Sequence, residues 1–190
     1  MRSKDENKRT AIYNAAVRII NESGFANASV SKIAKLADVS SSTIYVYFEN
    51  KKDMLNKIFL FIKEESGNFI FNEINPDSHA KEGIKIIWNK TYEYAVKNPD
   101  KFSFSEQYAN SPIINNISKE QGKKYYMPLF DYLSRSIKKG EIKKIKMEIL
   151  IALILSPVIH LAKQKISGNI DIPDEAIQKT FLLIWDSIKN

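Results

Sequence analysis

There is no cysteine among the 190 residues, so the chain can form no disulfide, no thiolate nucleophile and no cysteine-based metal site. Histidine is almost as scarce. With His79 and His160 alone, no histidine pair fits a zinc site or a catalytic triad, so neither a catalytic residue nor a metal or other cofactor is expected. An all-helical enzyme would need a convergent set of acids, bases or nucleophiles that these residues do not supply. Strand-like alternation with hairpin turns is also missing. Residues 1–9 are polar and charged without an apolar centre, which argues against a secretory signal and for a cytoplasmic protein. The one long apolar run, MEILIALILSPVIHLA over 147–162, is shorter than the roughly 20 residues a bilayer span needs. It contains Pro157 and is flanked by lysines, so it is expected to be a helix buried between other helices, with no membrane partner.

What is present is a core-forming composition, 44% hydrophobic, with 29 Lys and Arg against 22 Asp and Glu. The net charge of +7 suggests a polyanionic partner without identifying it. Apolar residues recur at helical spacing along nearly the whole chain, which predicts an all-α fold of about nine helices. The periodicity and the Ser, Asn, Gly and Pro punctuation place them at 8–23, 29–37, 43–48, 51–71, 82–97, 102–108, 119–139, 144–165 and 174–188. Pro157 is expected to bend or open the eighth. The polar arm 1–9, with Arg2, Lys4, Lys8 and Arg9, precedes the first helix and would reach a phosphate or a minor groove if ordered.

The second and third helices meet the demands of a helix-turn-helix, in which a bracing helix holds a second one for the major groove. Ser29 is the N-cap of the first. Ala34 supplies a small residue at the crossing, while Ile33, Val39 and Ile44 supply apolar contacts on both sides. Asp38 stands where the turn needs left-handed geometry, which its short polar side chain tolerates. Ser41, Ser42, Thr43, Tyr45 and Tyr47 make the outer face of the second helix polar. An interaction scaffold or a membrane-surface protein would fit the charge but would not require this register.

The segment VSKIAKLADVSSSTIYVYFENKKDML closely resembles the signature of the tetracycline-repressor (TetR) family, and the resemblance extends over about 8–59. The family usually has Gly where Asp38 stands. The resemblance implies a three-helix DNA-binding domain over 1–50 and a helical effector-binding and dimerisation domain over 51–190, joined by a linking helix at 51–71. It implies that Ser41, Ser42, Thr43 and Tyr45 lie at or near base edges and sugar-phosphate. Tyr47 and Lys51 would grip phosphates, and Ser29 and Ser31 would touch the opposite backbone. Neither Arg nor Asn or Gln is on the reading helix, so specificity is expected to lean on thymine methyls, hydroxyl contacts and DNA shape.

In the remainder, aromatic residues suggest a pocket for a small apolar or amphipathic effector. Trp88, Tyr92, Phe104, Tyr108, Tyr126, Phe130 and His160 are its candidate lining. Family members pair their last two helices, so Ile149, Leu153, Ile154, Ile177, Phe181 and Trp185 are the candidate homodimer interface. The function implied is a ligand-responsive repressor on a palindromic double-stranded DNA operator. The alternative is an activator or a constitutive regulator without an effector.

Overall fold

The computed structural model describes residues 2–113, 116–168 and 170–190, without the side chains of 2–4 and 116–119. Ten helices form among the described residues: α1 Arg2–Asn27, α2 Val30–Leu36, α3 Ser41–Tyr47, α4 Lys51–Phe71, α5 Ala80–Lys97, α6 Pro99–Ala109, α7 Asn116–Lys124, α8 Met127–Lys138, α9 Met147–Ser167 and α10 Asp174–Ile188. The chain packs into two units. One comprises Met1–Lys63 with Asp100–Gly122, the other Glu64–Pro99 with Lys123–Asn190, and the chain passes through α4 from one to the other.

The first unit is built on one apolar face of α1. Ile12, Ala16 and Ile20 are fully buried there against Ile33 and Ala34 of α2 and Ile44 of α3. Gly24 breaks α1 with φ +77°, an easy angle only for a residue without Cβ, so regular helix ends where the sequence suggested. At the other end, α1 begins at Arg2, well before the expected start. Lys8 and Arg9 are therefore helical and exposed, while the Arg2 and Lys4 side chains lie outside the described residues. The first half of α4 closes the unit with Met54, Leu55, Ile58 and Phe59, and α6 adds Phe104 and Tyr108. These two rings stack with centroids 5.6 Å apart, and the Tyr108 hydroxyl donates to Asn56 Oδ1 at 3.0 Å.

The second unit centres on α5, whose Ile84, Ile87 and Trp88 pack against Leu150, Ile154 and Val158 of α9 and Ile177, Phe181 and Trp185 of α10. At Gly83 the backbone lies so close to Tyr132 of α8 that a Cβ would collide with its ring and hydroxyl. That hydroxyl donates to the carbonyls of His79 at 3.0 Å and Ser78 at 3.3 Å, tying α8 to the start of α5. His79, exposed to solvent, caps α5, its Nδ1 accepting from the Lys81 N–H at 3.3 Å.

Two expectations need correction. The helix predicted over 119–139 is divided into α7 and α8 by a turn at Tyr125–Tyr126. Pro128 then falls in the first turn of α8, where its missing N–H costs nothing, rather than in a helix interior. The run in α9 is also not buried all round. Leu150, Ile154, Val158 and Ala162 form one covered stripe, whereas Ile149 and Ala152 are exposed. By length and composition alone α9 could cross a membrane, but its inner stripe is part of the second unit's core. Helix α9 continues through Pro157 as a single element.

Candidate nucleic-acid interface

The reading head consists of α2, the turn at Asp38, and α3. Each depends on a cap, because a seven-residue helix is too short to hold itself in water. Ser29 Oγ accepts from the Lys32 N–H at 3.3 Å and lies 3.0 Å from Ser31 Oγ. Asp38 adopts φ +54°, the only positive φ at a non-glycine residue among those described, and it turns the chain between the helices as the sequence suggested. Val39 follows with its N–H on the Ala34 carbonyl at 3.0 Å, which locks the crossing at the small residue.

Of the three consecutive serines, Ser40 is the one that caps α3. Its Oγ accepts from the Thr43 N–H at 3.1 Å and lies 2.7 Å from Ser42 Oγ and 2.8 Å from Thr43 Oγ1. Ile44 is buried and anchors α3, so the opposite side faces outward. That side is centred on Ser42 and Val46, each about 200° around the helix from Ile44. Thr43 and Tyr45 flank it, each about 100° from Ile44, and Tyr45 is 56% exposed. Val46 is 78% exposed, with no packing role in the chain, and the sequence reading passed over it. Its position four residues after Ser42 and opposite Ile44 is the signal that could have found it. An outward methyl-bearing side chain on this helix suits the thymine methyl in a major groove.

Tyr47 and Lys51, proposed as phosphate grips, both have partners within the chain. The Tyr47 hydroxyl donates to Asp5 Oδ1 at 2.9 Å, and this bond to a carboxylate raises its pKa. Lys51 Nζ donates to the Phe25 carbonyl at 2.6 Å, so the ammonium neutralises the carbonyl end of α1 beside Gly24. Asn50 caps α4 through Oδ1 to the Asp53 N–H at 2.9 Å, and Asp53 Oδ2 reaches back to the Glu49 N–H at 3.0 Å. Lys57 completes this corner, bonding Asp53 at 2.8 Å and the Tyr47 carbonyl at 3.3 Å. The end of α3 is thus braced by α1 and α4, while its hydroxyl-rich start and centre stay open.

Comparison with known proteins agrees with this geometry. The family model described as "Bacterial regulatory proteins, tetR family" matches residues 12–58, and that described as "Tetracyclin repressor-like, C-terminal domain" matches residues 81–189. The chain belongs to the TetR family. It is 32% identical over 170 residues to the fatty acid metabolism regulator protein of Bacillus subtilis (strain 168), covering 86% of this chain and 80% of that one. It is 26% identical to an uncharacterized HTH-type transcriptional regulator of Haemophilus influenzae along the full length of both. The crystal structure of a TetR family transcription regulator from Marinobacter aquaeolei VT8 superposes over both whole chains with a TM-score of 0.92 at 25% identity. This TetR-family protein is a DNA-binding transcriptional regulator and not an enzyme.

The aromatic residues nominated as an effector pocket in the regulator are divided between the two units. Phe104 and Tyr108 belong to the first unit, where burial pushes the Tyr108 pKa up to about 12. The rest belong to the second unit. Trp88 is fully buried edge-on to Phe181 with ring centroids 5.9 Å apart, while Tyr126 packs on Phe71 and lies 3.2 Å from Ser66 Oγ. Tyr92 and Phe130 are half-buried, and His160 is exposed on α9 beside Gln164. A groove of about 500 Å³ does open in this unit, lined by Gly67, Asn68, Phe71, Asn72, Lys124, Tyr125 and Pro128.

The candidate dimer residues divide in the same way. Ile154, Ile177, Phe181 and Trp185 are buried in their own chain, because α5 covers the faces of α9 and α10 that carry them. Ile149 is exposed and Leu153 half-buried, and they line a shallow apolar groove with Glu148, Ala152, Ser156 and Pro157. Leu182 and Leu183 of α10 are exposed as well, since periodicity alone does not say which side of a helix its own chain covers.

Proposed function

We propose that this regulator is a cytoplasmic, ligand-responsive repressor that binds a palindromic operator as a homodimer. The observation that carries the DNA reading is the open face of α3, fixed by the Ser40 cap and the Asp38 turn. On it Ser42, Tyr45 and Val46 read base edges and methyls, with Ser41 and Thr43 beside them. Ser29 and Ser31 at the start of α2, with Tyr47 and Lys51 behind α3, address the sugar-phosphate backbone. The division of labour is DNA reading in 1–50 and effector binding and pairing in 51–190.

Pairing is supported by the uncovered apolar surface of the last two helices. Ile149, Leu182 and Leu183 are exposed, and a second copy of the same helices would cover them under two-fold symmetry. Two reading heads then require inverted half-sites about one helical turn, or a multiple, apart.

The effector is a small apolar or amphipathic molecule. Its site is the groove lined by Phe71 and Tyr125, where Asn68, Asn72 and Lys124 add polar groups. The indole N–H of Trp88 is buried in the same unit with no acceptor among the described residues, and an unpaired buried donor of this kind costs about 1–3 kcal/mol. The kinship with a fatty acid metabolism regulator makes a long acyl chain the first class to test. Gly67, Asn68 and Phe71 of the lining belong to α4, so a ligand there acts on the second half of that helix. It releases the operator by favouring a different separation of the reading heads.

Selection of the operator from random DNA, followed by titration of that duplex, tests the whole reading. Two chains should bind per duplex with inverted half-sites, and palmitoyl-CoA or a free fatty acid should release them. One chain per duplex, or an undivided site, refutes the dimer. If a ligand that binds the second unit leaves the complex intact, the effector mechanism is refuted.

A further inference from the structure

The bond between Tyr47 and Asp5 joins residues 42 positions apart in sequence, yet both lie on the exposed rim of the reading head. Asp5 stands in the first turn of α1, and its carboxylate is open to solvent beside the C-terminal end of α3. A tyrosine hydroxyl has one proton to donate. While Asp5 accepts it, a phosphate oxygen cannot, and the carboxylate itself repels a phosphate within the roughly 10 Å over which exposed charges act at ordinary salt. Lys57, at that end of α3, is already bound to Asp53 and the Tyr47 carbonyl. Lys8 and Arg9 lie on the same face of α1 as Asp5, three and four residues on, and both are exposed. The rim therefore carries two exposed cations that attract DNA, Arg9 lying over the Tyr13 ring, and one carboxylate placed on the hydroxyl that would hold it.

We propose that Asp5 is a negative determinant of DNA affinity: it occupies the Tyr47 hydroxyl in the free protein, and a backbone phosphate must displace it for Tyr47 to bind. This rests on Tyr47 being a phosphate contact. Because phosphates carry no sequence information, Asp5 weakens binding to every duplex alike and sets the level of affinity, leaving base preference to Ser42, Tyr45 and Val46.

The experiment titrates the full-length protein against a fluorescein-labelled duplex of mixed sequence at about 0.1 M salt, by fluorescence anisotropy. Asp5→Ala should bind tighter by up to about five-fold per protomer, the upper end for an exposed charged pair. Tyr47→Phe should bind more weakly than the wild type. In the Tyr47→Phe background, Asp5→Ala should gain less than half as much. Asp5→Asn removes the charge but keeps both an acceptor and a residue suited to the first turn, so it should tighten binding by a smaller factor. Equal circular dichroism across the set confirms that α1 is intact. Unchanged or weaker binding by Asp5→Ala overturns the proposal, as does an undiminished gain without the hydroxyl. Tyr47→Phe binding like the wild type overturns the underlying phosphate contact, an outcome Asp5→Ala alone does not produce.

Discussion

Ser40 carries no expected base contact, yet the reading head depends on it, and removing its hydroxyl separates folding from recognition. Helix α3 has seven residues, about half the length at which an isolated helix becomes marginal in water. Its first turn is held by Ser40 Oγ, which accepts the Thr43 N–H at 3.1 Å. Loss of such a cap costs about 1 kcal/mol, and toward the lower end of the usual range because the freed N–H is exposed to water. In Ser40→Ala that energy should appear twice. Melting temperature falls by about 3 °C, and DNA affinity falls up to about five-fold, because binding must re-form the frayed turn.

Ser40→Asp separates the two effects. A carboxylate caps as well as a hydroxyl and favours the positive end of the helix, so stability returns to that of the wild type. The same carboxylate stands where α3 would meet phosphates, so DNA binding falls below that of Ser40→Ala, most steeply at low salt. Thermal unfolding followed by circular dichroism, and anisotropy on a labelled duplex at two salt concentrations, measure both quantities. If Ser40→Asp binds DNA as tightly as the wild type, or Ser40→Ala loses neither stability nor affinity, the capped start of α3 is not at the DNA.

Three other predictions follow from packing and burial. Gly83→Ala drives a methyl into the Tyr132 ring and hydroxyl and should cost about 3 kcal/mol, lowering the melting temperature by about 10 °C; replacing Tyr132 with Leu in that background should recover part of the loss. Asp38→Gly should be neutral or stabilising by up to about 1 kcal/mol, whereas Asp38→Val should lose about 1–2 kcal/mol, because a branched side chain resists the left-handed angle. Burial raises the pKa values of Tyr13, Tyr94 and Tyr132, and pushes Tyr108 up to about 12. In the unfolded chain these groups ionise near pH 10. Stability from keeping them neutral is therefore complete below about pH 10 and lost as pH rises toward 12. Tyrosinate absorbance and helicity should change together in that window, and early ionisation with helicity retained would contradict the burial.

Features that depend on near neighbours were legible before the fold was known. Ser29 caps its helix, Asp38 takes the left-handed turn, and α10 begins and ends at Asp174 and Ile188 as the apolar spacing indicated. A cap or a tight turn is decided within one turn of chain, so the sequence by itself determined the helical class and the helix-turn-helix with its hydroxyl-rich outer face. The identity of a helix's partner is decided over longer distances. Phe104 and Tyr108 read as pocket aromatics, but α6 packs Phe104 edge-on to Phe25 and Tyr108 tilted against Phe59 within the reading unit. Lys51 and Tyr47 read as free phosphate grips, yet Phe25 and Asp5, 26 and 42 residues away, already hold them. Helix α9 is apolar on nearly all sides, so only the tertiary structure decides that Leu150, Ile154 and Val158 face α5 and that Ile149 remains outside. Burial is a property of what lies opposite a side chain, and helical periodicity records only which residues share a face.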